Sequence, residues 1–138
     1  MRRKFIKKWH GKPIKDDGSY TSRQFNSFAK ELKTVISQEA ERMGITLTNY
    51  SAGHYFVSGF LAVRDDAYVY FSYDVPRGEL PLDLTKKDAC YGFLVRTAKN
   101  ETDYTGGQNH FTDFAGLFEL SEKLLSRELQ KKQNVVAA

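Results

Sequence analysis

The residues from Phe25 to Met43 constrain the fold most. Phe25, Phe28, Ala29, Leu32, Val35, Ile36, Ala40 and Met43 recur at three- and four-residue spacing, which lines one side of a helix with apolar side chains. Arg23, Lys30, Lys33, Glu41 and Arg42 fill the opposite side. Thr21 suits an N-cap, Gln24 completes a capping box and Tyr20 can staple onto Phe25. Gly44 stands where a left-handed C-terminal cap belongs. A stripe this wide covers one face of a sheet, with docking of a partner helix as the alternative.

From Ile45 the period changes from helical to alternating. Ile45–Ser51 reads as a strand and Ser51-Ala52-Gly53 as a turn. His54–Arg64 reads as a second strand, in which Gly59 marks a bulge or a close approach. Asp65-Asp66 would close a hairpin onto a third strand, Ala67–Val75. Val69, Phe71 and Tyr73 share one face of that strand, and Tyr68, Tyr70, Ser72 and Asp74 share the other. Residues 76–81 hold two prolines and read as an irregular connection. Ala89–Ala98 is the fourth strand. A second amphipathic helix follows, capped by Thr112 and striped by Phe114, Leu117, Phe118, Leu124 and Leu125, with Asp113 placed for the helix dipole. The order helix, four strands, helix predicts an α+β fold in which two helices cover one face of an antiparallel sheet.

A chain of 138 residues fits one domain. Its 41% apolar and 28% charged residues fit a globular protein. No apolar run is long enough to span a membrane, the basic N-terminus lacks an apolar segment behind it, and a lone cysteine cannot form an internal disulfide. The expected location is the cytoplasm. The net charge of +4 conceals an asymmetry. Arg2, Arg3, Lys4, Lys7, Lys8, Lys12 and Lys15 give residues 1–15 a charge of +7 with no acid, whereas residues 16–138 carry 14 basic and 17 acidic side chains, net −3. Residues 1–18 therefore read as a flexible basic arm for nucleic acid or another polyanion. Phe5, Ile6 and Trp9 are interleaved for stacking on bases, or else for resting on the domain. The domain proper spans 19–132, and 133–138 read as a frayed tail.

The least ordinary stretch is Arg96 to Phe111. Arg96, Lys99, Asp103, Tyr104, Gly106, Gly107, Asn109 and His110 stand there almost without aliphatic neighbours. A connection this long in a small domain is a binding loop, a disordered one or an ordinary surface loop. Gly106-Gly107 supplies freedom for positive φ or a tight turn, and does not match a phosphate loop. His10, His54, His110 and Cys90 lie too far apart in sequence for a metal motif. Cys90 sits in an apolar strand and reads as an inert buried thiol. No cofactor is expected. An enzyme would need Asp103, His110 and Arg96 to converge, and a non-enzymatic role is expected instead. The tyrosine content suits protein or single-strand recognition, or completes the rim of the core.

The strings HYFVSGFLAVRDDAYVYFSYDVPR and RTAKNETDYTGGQNHF resemble a family of small proteins carried by conjugative elements, plasmids and phages of Gram-positive bacteria. Arg96, Thr97, Ala98, Lys99, Asp103, Tyr104, Thr105, Gly106, Gly107 and Asn109 carry the resemblance, which covers roughly residues 44–125. Pro76, between Asp74-Val75 and Arg77, departs from the family pattern. The layout of basic arm, long helix, sheet and closing helix is also similar to anti-CRISPR proteins of the same elements. That resemblance implies an inhibitor that binds a type II CRISPR effector nuclease, its guide RNA or both. The arm would hold RNA while the acidic body fills a DNA groove. The alternative is a small nucleic-acid-binding accessory protein of a mobile element. A tyrosine-rich sheet edge leaves a homodimer open.

Overall fold

In the computed structural model the apolar helical stripe lies against an antiparallel sheet, as its width requires. The structure describes residues 2–9, 13–15, 23–64, 66–75, 78–79, 92–105 and 107–137, with side chains for all of these except 13–15, 78–79 and 133–137. The elements in chain order are α1 (Arg2–Trp9), β1 (Pro13–Lys15), α2 (Arg23–Arg42), β2 (Thr46–Gly53), β3 (Phe56–Val63), β4 (Ala67–Asp74), β5 (Gly78–Glu79), β6 (Phe93–Ala98), β7 (His110–Thr112) and α3 (Phe114–Ala137). The main sheet has the order β2-β3-β4-β6-β7, and every neighbouring pair is antiparallel.

The fold is α+β with an N-terminal and a C-terminal helix, but the sheet has five strands rather than four. The fifth strand, β7, lies at the end of the polar stretch and pairs with β6 through Phe93–Thr112, Leu94–Phe111 and Val95–His110. A second, two-stranded sheet joins β1 to β5. It places Pro13–Lys15 in a strand where a flexible arm was expected, and Gly78–Glu79 in a strand where an irregular connection was expected. The backbone of α3 continues helically to Ala137, through most of the expected frayed tail. The proposed capping residues Tyr20 and Thr21, and Asp65, Pro76 and Cys90, lie outside the described residues.

Helix α2 ends as its sequence dictates. The Ile45 amide donates to the Ala40 carbonyl at 2.8 Å and the Gly44 amide to the Glu41 carbonyl at 3.1 Å, with Gly44 at φ 73°. This is a Schellman termination, in which glycine alone takes the left-handed position without a Cβ penalty. At the start of α3 the cap is Asp113 rather than Thr112: Asp113 Oδ1 accepts from the Gly116 amide at 2.7 Å, while Thr112 completes β7.

The hairpin between β2 and β3 turns at His54 and Tyr55, both at positive φ (53° and 61°), rather than at Ser51–Gly53. Positive φ at two successive central residues is the turn geometry that matches the twist of paired strands. Tyr55 is held there by burial against Phe25, ring centroids 5.2 Å apart, and by its carbonyl accepting the Val75 amide at 2.9 Å. Strand β2 also carries a bulge between Thr48 and Ser51, with Asn49 at φ 49°. Gly59 is a close approach, because a Cβ there would lie 2.9 Å from the Phe71 ring.

The N-terminal segment is the main departure. Over Arg2–Trp9 the expected arm is a helix whose Phe5 and Trp9 are each only 4% exposed, inside the core. Phe5 touches Phe28 of α2 and Phe114 of α3, both at 5.5 Å between centroids, and Trp9 meets Phe28 edge-on at 5.5 Å. The aromatic chain continues through Phe28–Tyr73 and Tyr73–Phe93 to the sheet. Each such burial is worth about 1.5–3 kcal/mol relative to exposure. An eight-residue helix is marginal alone in water, so α1 owes its order to this packing.

Candidate functional site

Two regions gather the residues singled out from sequence, and the structure treats them differently. The first is the connection from β6 to β7. It folds back over the face of the sheet that the helices leave open. Across that face Phe60 of β3, Tyr70 of β4 and Arg96 of β6 stand side by side in register. Tyr104, from the middle of the connection, lies on Tyr70 with centroids 4.9 Å apart and planes 29° apart. Farther across, Asn49 Nδ2 on the edge strand β2 donates to the Glu101 carbonyl at 2.8 Å. The loop therefore bridges from β6 to β2, three strand spacings or about 14 Å.

Its polar side chains are spent on its own shape. Arg96 donates from one terminal nitrogen to the Gly107 carbonyl at 2.7 Å and from the other to Asn109 Oδ1 at 3.0 Å. Its guanidinium carbon lies 6.0 Å from the Tyr104 ring centroid, at the outer reach of a cation–π contact. Asn100 Oδ1 accepts from the amide and the hydroxyl of Thr102, both at 2.8 Å. Asp103 Oδ1 does the same for Thr105, at 3.0 and 2.6 Å. These bonds from Thr105, hydroxyl first and then amide, hold the Asp103 carboxyl below its ordinary range, with a smaller contribution from the charge of Lys99. Such side-chain-to-backbone turns are what Asn, Asp and Thr do at short spacing.

Gly107 is a glycine for space. Its φ is not positive, and a Cβ would lie 2.8 Å from the Thr97 nitrogen and 2.9 Å from the Thr97 oxygen. Gly106 lies outside the described residues. Of the loop positions expected to meet a partner, Arg96, Asp103, Gly107 and Asn109 are occupied internally. Tyr104 is bound on one side yet 51% exposed, and Lys99 is exposed. Beside the loop, Phe56 and Phe111 stay exposed on the same sheet face.

The tyrosines do not form a stacking platform. Tyr73 and Tyr55 are in the core, and Tyr50 reaches through to donate to the Ala29 carbonyl at 2.6 Å. Burial pushes the Tyr50 and Tyr73 hydroxyls well above the ordinary tyrosine range, and for Tyr73 the charge of Asp74 adds to it. His110 sits on β7, paired with Val95, and Asp103 lies within the loop, bonded to Thr105. Among the described residues no group of three or more His, Cys, Asp or Glu could hold a metal ion.

The second region is helix α1. Trp9, expected to stack on bases, is buried and cannot. Arg2 is half-buried with its guanidinium 5.5 Å from the centre of the Phe118 ring, and Lys8 pairs with Glu31 at 2.9 Å. Arg3, Lys4 and Lys7 are exposed on the side of the helix away from Phe5 and Trp9. Lys12 and the side chain of Lys15 lie outside the described residues. The signal that foretold this helix was the Phe5–Trp9 pair, four residues apart with cations between, which is one apolar edge of a short amphipathic helix.

Comparison with protein-family models, curated proteins and solved structures yields no match. Among the described residues no helix is long and apolar enough to cross a membrane.

Proposed function

We propose that this chain inhibits a type II CRISPR effector nuclease, with the basic face of α1 directed at the guide RNA of the effector complex. The observation that carries the nucleic-acid part is the exposed set Arg3, Lys4 and Lys7 on a helix anchored by Phe5 and Trp9. Lys7 lies three and four residues from Lys4 and Arg3, within about one turn of both. A rigid array loses less freedom on binding than an arm does, so more of its phosphate attraction becomes affinity. The effector part rests on the resemblance of layout to anti-CRISPR proteins and of the loop to small proteins of the same mobile elements, and the net −3 of residues 16–138 suits a groove that otherwise takes DNA.

The same exposed cations support a second reading, a nucleic-acid-binding accessory protein of a mobile element. It would act through α1 alone, since Tyr104 covers Tyr70 and the core takes Tyr55 and Tyr73. A paired experiment separates the two. An inhibitor blocks target-DNA cleavage by a guide-loaded effector at near-stoichiometric amounts, with weak binding to naked oligonucleotide. An accessory protein binds the oligonucleotide tightly and leaves cleavage unchanged.

A further inference from the structure

At the end of the sheet remote from the β2–β3 turn, the base of the β6–β7 loop and the C-terminal half of α3 enclose two adjoining hollows. One has a volume of about 380 Å³ and the other about 240 Å³. Thr97, Glu128 and Lys131 line both, so the two form one groove. Taken together they fall in the size range of small-molecule sites, about 300–1,000 Å³.

The lining is cationic. Lys99 and Lys132 stand in the larger hollow and Arg127 in the smaller, with Lys131 between them, against the carboxylates of Asp66 and Glu128. Among the described lining residues four cations stand against two carboxylates. Lys131 is bound to Glu128 at 3.3 Å, and Lys132 donates to the Asp66 carbonyl. Asp66 also holds Arg64 at 3.0 Å. The side chains of Lys99 and Arg127 form no hydrogen bond or ion pair with a described residue; the Lys99 ammonium exerts only a Coulomb attraction on Asp103. The Thr97 and Thr105 hydroxyls add neutral donors to the wall.

We infer that this groove binds a nucleotide phosphate, with Lys99 and Arg127 as its charged contacts and Lys131 between them. Cationic side chains free of carboxylate partners, with hydroxyl donors beside them, are the groups that complete a phosphate's hydrogen bonds. The phosphate comes either from a free mononucleotide or from the end of a strand. The inference does not rest on the CRISPR reading, and the groove shares no residue with the α1 face.

The test is titration of the full chain with AMP, orthophosphate and a 5′-phosphorylated oligonucleotide, followed by calorimetry and by amide shifts at Thr97, Lys99 and Thr105. The variants are Lys99→Ala with Arg127→Ala, and Arg3→Glu with Lys4→Glu and Lys7→Glu as the control on α1. All of these side chains are exposed, and thermal melting confirms that each variant folds. Removal of one charge-assisted contact costs about tenfold in affinity, so the Lys99/Arg127 variant weakens the phosphate ligand by about a hundredfold. The α1 variant leaves AMP binding unchanged. Saturable binding of AMP with this loss identifies a free nucleotide. The same loss seen only for the phosphorylated oligonucleotide identifies a strand end. Absence of binding for every probe, or binding indifferent to Lys99→Ala with Arg127→Ala, overturns the inference.

Discussion

The Tyr104 ring lies on the Tyr70 ring at 4.9 Å, and that contact turns a polar connection into the cover of a sheet face. With Asn49 holding Glu101 beyond it, the loop shields Phe60, which is only 5% exposed although it points away from the helices. Tyr104→Ala removes an aromatic pair worth about 0.5–1.5 kcal/mol beyond its buried area. Denaturant unfolding is expected to show that loss with the fold retained, and Tyr104→Phe to stay within about 0.5 kcal/mol of the parent.

Gly107 packs against the backbone of Thr97 more closely than any side chain allows. Gly107→Ala forces the loop away from β6 and withdraws the carbonyl that Arg96 holds at 2.7 Å. An overpacking cost of about 1–3 kcal/mol is expected in urea unfolding. Faster amide exchange through 100–109 than in β3 and β4 would place the damage in the loop.

The Asp103 carboxylate is stabilised by Thr105, so its folded-state pKa is depressed. A depressed carboxyl contributes stability that is fully present above the unfolded value of about 3.9 and is lost as pH falls through the lower folded value. Carbon NMR of the side chain should give a midpoint below that of an ordinary aspartate. Asp103→Ala should lose stability near neutral pH and show a shallower acid decline. A midpoint at or above the ordinary value contradicts the Thr105 contacts.

Much of this architecture was legible in the chain. The Phe25–Met43 stripe and Gly44 announced α2 and its cap because both are local signals. The face carrying Val69, Phe71 and Tyr73 is the buried one, as alternation alone offered it. The β2–β3 turn was not legible: His54 and Tyr55 are poor residues for positive φ, and the burial of Tyr55 against Phe25 imposes it. The end of the β6–β7 loop hid β7, whose three residues pair only because β6 presents an edge. The loop stood out as unusual for a sound reason, yet Arg96, Asp103 and Asn109 turned out to shape it.

The N-terminal segment gives the sharpest contrast between sequence and structure, because its charges drew attention from its Phe5–Trp9 edge. Trp9→Ala should cost about 3–5 kcal/mol, as for other buried aromatics. Lys7→Ala should leave stability within about 0.5 kcal/mol. Equal and negligible effects of both would restore the picture of a free arm.

We propose that a folded, basic α1 directs this chain at the nucleic acid of a CRISPR effector. The most direct test is target-DNA cleavage by guide-loaded type II effectors, with the parent chain and with the Arg3→Glu, Lys4→Glu, Lys7→Glu variant added at a few molar equivalents. Near-stoichiometric inhibition by the parent chain, relieved by salt and lost in the variant, is the expected result. Full cleavage in the presence of the parent chain across several effectors, or inhibition that the variant retains, contradicts it.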